Sequence, residues 1–319
     1  MRGLTRSLSA GHVRQAMPLA TLAALIVVVG IVTPEFLRSQ TLLVLASDTA
    51  TLFVMAVGVT FVIMLGGIDL SIQSVASLTS VVVALCLPRF GYLGFAIATL
   101  VGTLAGILSG LAHVKLKIPS FIATLAIGGI AAGTALIISD AQAITMGEGE
   151  RAYLGWITGD GFGLPHEVII GAVVLACGLF VQRYTAFGRY SQAIGAGEPT
   201  AYASGIRVDR YKIVAFALSG SLAGFAGVVL AGRLASGSPT LANELLLPAI
   251  AAVIVGGTAI TGGVGSVWRT LIGALIISVV RIGMTFVGVD IFAQQIVFGA
   301  VLILAVAATI DRSKIPIVK

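Results

Sequence analysis

The sequence predicts an all-α polytopic membrane protein with about ten transmembrane helices, some of them broken, and three observations carry that prediction. Apolar residues make up 58% of the 319-residue chain and charged residues only 10%, whereas an ordinary soluble domain is about a quarter charged. Mean hydropathy is +1.08. The apolar residues come in runs long enough to cross a bilayer, with the basic residues between them. The net charge of +6 is therefore read as topology, and nucleic acid is not expected as a partner. Forty glycines suit close helix packing in lipid. Cys86 and Cys177 lie far apart in apolar runs, with no CxxC or Cys/His spacing. They are read as packing residues, with neither a disulfide framework nor a metal site expected.

In chain order, Arg2, Arg6 and Arg14 precede the first apolar run, Met17 to Val32. No small-x-small cleavage site follows, and the chain continues into Thr33-Pro34-Glu35, so the run is read as an uncleaved first helix. Helices are expected near 17–33, 42–65, 70–87, 91–112, 119–139, 167–184, 212–234, 247–260, 266–287 and 291–310. The loops test this count. His113-Val114-Lys115-Leu116-Lys117, the loop 185–211 with Arg189, Arg207 and Arg210, and the C-terminal Arg312, Lys314 and Lys319 all fall on one side. The loop 140–166, with Asp140, Glu148, Glu150 and Asp160 against Arg151, falls on the other. Basic loops face the cytoplasm, which predicts an even number of spans with both termini cytoplasmic. Segment 1–16 and tail 311–319 would then flank one membrane domain, 17–310.

The most informative stretch is Gly66-Gly67-Ile68-Asp69-Leu70-Ser71-Ile72-Gln73-Ser74, a polar, glycine-broken insert between two apolar runs. The glycines let the backbone leave helical geometry, and Asp69 is a suitable N-cap for a helix restarting at Leu70. An ionisable residue at such a break is a functional candidate, because charge at membrane depth is expensive. Capping a helix end is the simpler reading. The break is echoed by Ile254-Val255-Gly256-Gly257 and the glycine-rich run to Ser266. Paired interruptions in the two halves of an apolar chain point to a transport pathway. The second run has no Gly-Lys-Ser/Thr, and no Walker A match occurs anywhere, so nucleotide binding by this chain is not expected. In the basic loop, Glu198-Pro199 marks the start of a short helix and Gly205 its end. Such a helix suits either docking into a partner's groove or a simple interfacial linker.

These segments carry a resemblance that covers nearly the whole chain. Gly66-Gly67-Ile68-Asp69-Leu70-Ser71, Ile118 through Leu125, Phe187 through Ile206, and Ala249 through Ser266 together resemble the permease subunits of ribose-type (simple sugar) bacterial ABC importers. The resemblance implies an inner-membrane, non-enzymatic subunit that moves a monosaccharide, such as a ribose-like pentose. Its expected partners are a cytoplasmic ATP-binding cassette ATPase, a periplasmic sugar-binding protein, a second permease copy or homologue, and membrane lipid. No cofactor is expected on this chain, since ATP would be used by the ATPase. The loop 185–211 would be the coupling element, resting on Gly195, Glu198, Ala201 and Gly205. The substrate pathway would draw on Asp69, Ser71, Ser74, Phe121, Thr124 and Thr258, which offer hydroxyl, carboxylate and aromatic partners for a neutral sugar. Asn243 and Glu244 could meet the binding protein. The sequence departs from the family pattern at Gly197, Pro199, Thr200, Ser120 and Arg269, and in the stretch Ser139-Asp140-Ala141-Gln142.

Other classes fit less well. Permeases for nucleosides or sugar-like polyols share these features, and a proton-coupled secondary carrier would use Asp69 as its proton site. A serine-type intramembrane protease needs a histidine within the bundle, but His12, His113 and His166 fall at helix ends or outside helices. An aspartyl type needs a second intramembrane aspartate beside Asp69.

Overall fold

The computed structural model describes the backbone of residues 2–309 and the side chains of 17–307, Ile291 excepted. Arg2, Arg6, Arg14 and the tail bearing Arg312, Lys314 and Lys319 lie outside the described side chains. Helices occupy all ten expected intervals: α1 (Arg2–Val32), α2 (Ser39–Met64), α3 (Ile72–Phe90), α4 (Leu93–Lys115), α5 (Ser120–Ile138), α8 (His166–Tyr184), α11 (Val208–Leu234), α12 (Leu246–Val255), α13 (Val267–Phe286) and α14 (Ile291–Thr309). Seven of them, α2 to α5, α8, α11 and α13, are long and apolar enough to cross a membrane. The other three contribute shorter apolar stretches at Met17–Val32, Leu246–Val255 and Phe292–Ala307.

The expectations need three corrections. The helix after the first break begins at Ile72, not Leu70. The eighth interval stops at Val255, where the chain turns through Gly256 and Gly257 instead of running on to 260. The basic loop holds two helices, α9 (Ala186–Ala196) and α10 (Glu198–Ala203), where only the second was expected. The acidic loop 140–166 is also built up. It carries α6 (Glu148–Arg151), α7 (Gly155–Thr158), and a β2–β3 hairpin that pairs Asp160–Gly161 with Leu164–Pro165. Strand β1 (Ile144–Thr145) pairs with β4 (Ser236–Gly237), tying this loop to the end of α11. Cys86 is half-buried, and Cys177 is exposed on α8.

Helix α11 forms the centre, packing on α2, α3 and α4. Gly102, Gly106 and Gly110 recur every fourth residue on α4 and present a bare backbone to α11. A Cβ on Gly106 would overlap the Phe216 carbonyl, and one on Gly220 the Gly102 carbonyl. Lipid tails provide no hydrophobic force to press two helices together, so close backbone approach supplies the packing attraction instead. Most of α2 is buried, and with α3, α12 and α13 it supplies the main core.

Candidate functional site

Both glycine-rich breaks and the segment 185–207 meet at one end of the bundle. Helix α2 ends in a turn, with Gly66 N–H bonded to the Ile63 carbonyl (2.8 Å) and Gly67 N–H to the Val62 carbonyl (3.0 Å). Gly66 adopts φ +79, which favours glycine. Residues 66–71 then run non-helically back into the bundle, where neither strand nor helix supplies backbone partners, so side chains do. Ile68 N–H donates to Ser120 Oγ (3.1 Å) and Leu70 N–H to Thr124 Oγ1 (3.0 Å), both hydroxyls on the first turns of α5. The Thr124 hydroxyl also reaches the Ile68 carbonyl at 3.3 Å. Such satisfaction is obligatory wherever irregular backbone is buried in a membrane protein.

Asp69 is fully buried and sits within this stretch. Its Oδ1 accepts from Ser71 N–H (2.9 Å) and Ser71 Oγ (2.6 Å), and its Oδ2 from Ser219 Oγ of α11 (2.7 Å). The carboxyl group therefore closes a local turn ahead of α3 and fastens it to the central helix. It is not the helix N-cap, a position held by Ser71. Ser74 lies beside the α5 backbone at Gly128. Of the expected pathway residues on the first break and α5, Asp69, Ser71, Ser74 and Thr124 thus cluster together. Phe121 does not join them: its ring is 48% exposed on the outside of α5.

The second break lies against the first. Gly263 N–H donates to the Met64 carbonyl (2.9 Å), the last residue of α2. Thr258 is buried there, and its Oγ1 has no hydrogen-bond partner. A Cβ on Gly265 would sit 3.0 Å from the Thr258 methyl and would press on the Met64 side chain. Gln182 of α8 clamps the far side of the turn. Its Nε2 donates to the Gly265 carbonyl and its Oε1 accepts from Val267 N–H, both at 2.9 Å.

Helix α9 is seated on this junction. Gly195 abuts it so closely that a Cβ there would overlap the Met64 carbonyl and the Gly263 amide. Ala201 is buried among Val62, Leu65, Ile194, Val208 and Phe216. Helix α10 ends in a Schellman-type turn, Ile206 N–H to the Ala201 carbonyl (3.1 Å) and Gly205 N–H to that of Tyr202 (3.0 Å), with Gly205 at φ +79. Glu198 opens α10, and both its oxygens accept from Lys212 Nζ of α11 (2.8 and 2.7 Å). A cavity of about 330 Å³ lies between α9–α10, α11 and the first break.

At the opposite end, Asn243 and Glu244 are exposed on the turn before α12. Glu244 lines a second cavity of about 540 Å³ with Asp48, Arg281 and Gln294. Asp48 accepts from Arg233 and, at 2.8 Å, from Arg281, and Arg233 approaches Glu167 at 3.9 Å. Sequence reasoning missed this four-helix charge cluster, together with Ser120, Ser219, Gln182 and Lys212. For Asp48 and Arg281 a signal existed, since each interrupts an otherwise apolar run.

A helical membrane bundle whose buried polar groups gather at paired helix breaks has the construction of a solute-transporting membrane protein. The chain belongs to the family described as branched-chain amino acid transport system / permease component, which matches residues 41–306. Its relatives are sugar permeases. It is 37% identical to the ribose import permease protein of Haemophilus influenzae over 293 residues, 90% of each chain. It is 36% identical to that of Bacillus subtilis over 317 residues, 95% of this chain and 94% of the relative. With the xylose transport system permease protein of Escherichia coli K12 it shares 32% identity over 343 residues, 87% of each chain. No solved structure matches it. The chain is thus a ribose-type ABC permease, a multi-pass inner-membrane protein and a transport component.

Proposed function

We propose that this chain is the membrane-spanning subunit of an ATP-driven importer that moves a monosaccharide, a ribose-like pentose or related sugar, across the inner membrane. The observation that carries the reading is near-full-length similarity to permeases named for ribose and for xylose. The chain crosses the membrane ten times with both termini cytoplasmic, so that the end bearing α9 and α10 faces the cytoplasm. A cytoplasmic ATPase docks on α9–α10, and a periplasmic sugar-binding protein delivers sugar at the end bearing Asn243 and Glu244. A second permease copy or homologue completes the pathway. In each copy Asp69, Ser71, Ser74, Thr124 and Thr258 border the route at the breaks, Phe121 faces it separately from the exposed side of α5, and Gly195, Glu198, Ala201 and Gly205 carry the coupling surface. Seating of Gly195 on both breaks supports this division, because motion of α9 is felt at once where the helices are interrupted. The proton-carrier alternative is not favoured, since both Asp69 oxygens are occupied by hydroxyl and amide donors.

The test is uptake of radiolabelled pentoses, hexoses, a nucleoside and a polyol into proteoliposomes holding this chain with its ATPase and binding protein. ATP-dependent uptake led by a pentose is expected. Uptake without the ATPase, or preference for the nucleoside or polyol, would overturn the proposal.

A further inference from the structure

We infer that α11 is the rod through which α10 acts on the first break, with Lys212 and Ser219 as positioning residues at the two ends of the working stretch; this rests on the importer reading above. Lys212 Nζ holds both Glu198 oxygens, while Ser219 Oγ holds Asp69 Oδ2 at 2.7 Å. The two residues lie two turns apart on one face of the helix, about 10 Å along its axis. A displacement of α10 taken up by α11 at Lys212 is therefore delivered to the Asp69 turn at Ser219. The cavity of about 330 Å³ lies along this stretch, bounded by Lys212, Ala215 and Phe216, by Glu198, and by Gly66 and Gly67. Close-packed interiors transmit strain but rearrange poorly, so the free volume lies where relative movement needs it. Gly195 works on the same break directly, from the α9 side.

The Glu198–Lys212 pair is ill-suited to a purely stabilising role. The Glu198 side chain is 52% exposed and that of Lys212 14%. Ion pairs with so exposed a partner contribute little to stability. The pair also occupies the carboxylate that would otherwise be free to meet a basic residue of the ATPase.

The test uses the complete transporter in proteoliposomes and reads sugar moved per ATP hydrolysed, with thermal stability and ATPase rate in parallel. Lys212→Met and Glu198→Gln should each lower the sugar-to-ATP ratio by about two- to thirtyfold, with the thermal midpoint unchanged. The exchange Glu198→Lys with Lys212→Glu should restore it. If the exchanged protein fails to fold, the double variant Glu198→Gln with Lys212→Met serves instead, and should lose no more than the worse single change. Ser219→Ala should lower the same ratio and be non-additive with Lys212→Met. A wild-type ratio in Lys212→Met would overturn the inference. So would full additivity, or a Glu198→Gln defect in ATPase docking that Lys212→Met does not share. A wild-type complex that moves no sugar under ATP would instead refute the importer reading itself.

Discussion

Gly195→Ala tests the contact on which the junction depends. The added Cβ would overlap two backbone atoms, the Met64 carbonyl oxygen and the Gly263 amide nitrogen. Neither can rotate away as a flexible side chain could. Helix α9 must retreat by about 1 Å before the Cβ reaches 3.0 Å, the distance below which real Cβ atoms essentially never lie. The hydrogen bond from Gly263 N–H to the Met64 carbonyl, at 2.9 Å, stands in the same place. Overpacking of this kind costs about 1–3 kcal/mol, and losing a buried backbone hydrogen bond adds about 1–3 kcal/mol. At least ~2 kcal/mol is therefore expected, a fall of roughly 3 °C or more in the thermal midpoint of the protein in nanodiscs. Coupled uptake should fall with it. Gly197→Ala is the matched control: Gly197 is extended at φ −179, and its Cβ would lie 3.6 Å from the Thr200 hydroxyl, an ordinary contact. If Gly195→Ala matched both wild type and Gly197→Ala in midpoint and uptake, α9 would not be seated on the breaks, and the coupling argument would fail.

Three further outcomes are expected. Gly106→Ala should reduce the yield of monodisperse protein, because its Cβ overlaps the Phe216 carbonyl, whereas Gly129→Ala on α5, with nothing within 4 Å, should behave as wild type. Gly205→Ala should destabilise α10 by about 1–2 kcal/mol through its left-handed φ, measured as faster limited proteolysis between 197 and 207, and Gly205→Asn should recover part of the loss. Arg281→Met leaves Asp48 with Arg233 alone; a loss of about 1–3 kcal/mol in thermal unfolding is expected, partly recovered by adding Asp48→Asn.

The parts of this architecture that could be read from the sequence are those whose cause is local. Gly66-Gly67 and Gly256-Gly257 announce their turns directly, and Glu198-Pro199 with Gly205 marks both ends of α10. Residues that act across the fold gave little sign. Ser219 lies 150 positions from Asp69, and Ser120 lies 52 positions from Ile68. A single hydroxyl in an apolar run is ordinary, and only the fold shows which backbone donor or carboxyl group it meets. Helix α9 was not legible because its two glycines, Gly188 and Gly195, are poor helix formers, yet close backbone approach demands both, to Gln182 at the corner with α8 and to Met64 and Gly263 at the breaks. Ser120 illustrates the opposite case. It departs from the family pattern, and the structure gives the serine hydroxyl a task that proline could not perform, accepting from Ile68 N–H.

The hydrogen-bond accounting at the first break also constrains selectivity. Asp69 accepts from Ser71 and Ser219, and Thr124 is engaged with Ile68 and Leu70. These groups hold the break together and have little capacity left for a sugar's hydroxyls. A transporter gains from this, since a pathway that binds tightly cannot release. It follows that discrimination among pentoses should reside chiefly outside this cluster, in the protein that delivers the sugar. Asp69→Asn separates the two roles. An amide offers one acceptor oxygen where the carboxyl group offers two, so the bond with Ser219 must reverse its donor or be lost, at about 1–2 kcal/mol. Uptake of ribose and xylose should then fall by a common factor, with their ratio kept within about twofold, less than the 1.4 kcal/mol that a tenfold change in discrimination would require. A change in that ratio in the proteoliposome assay would show that Asp69 touches the sugar.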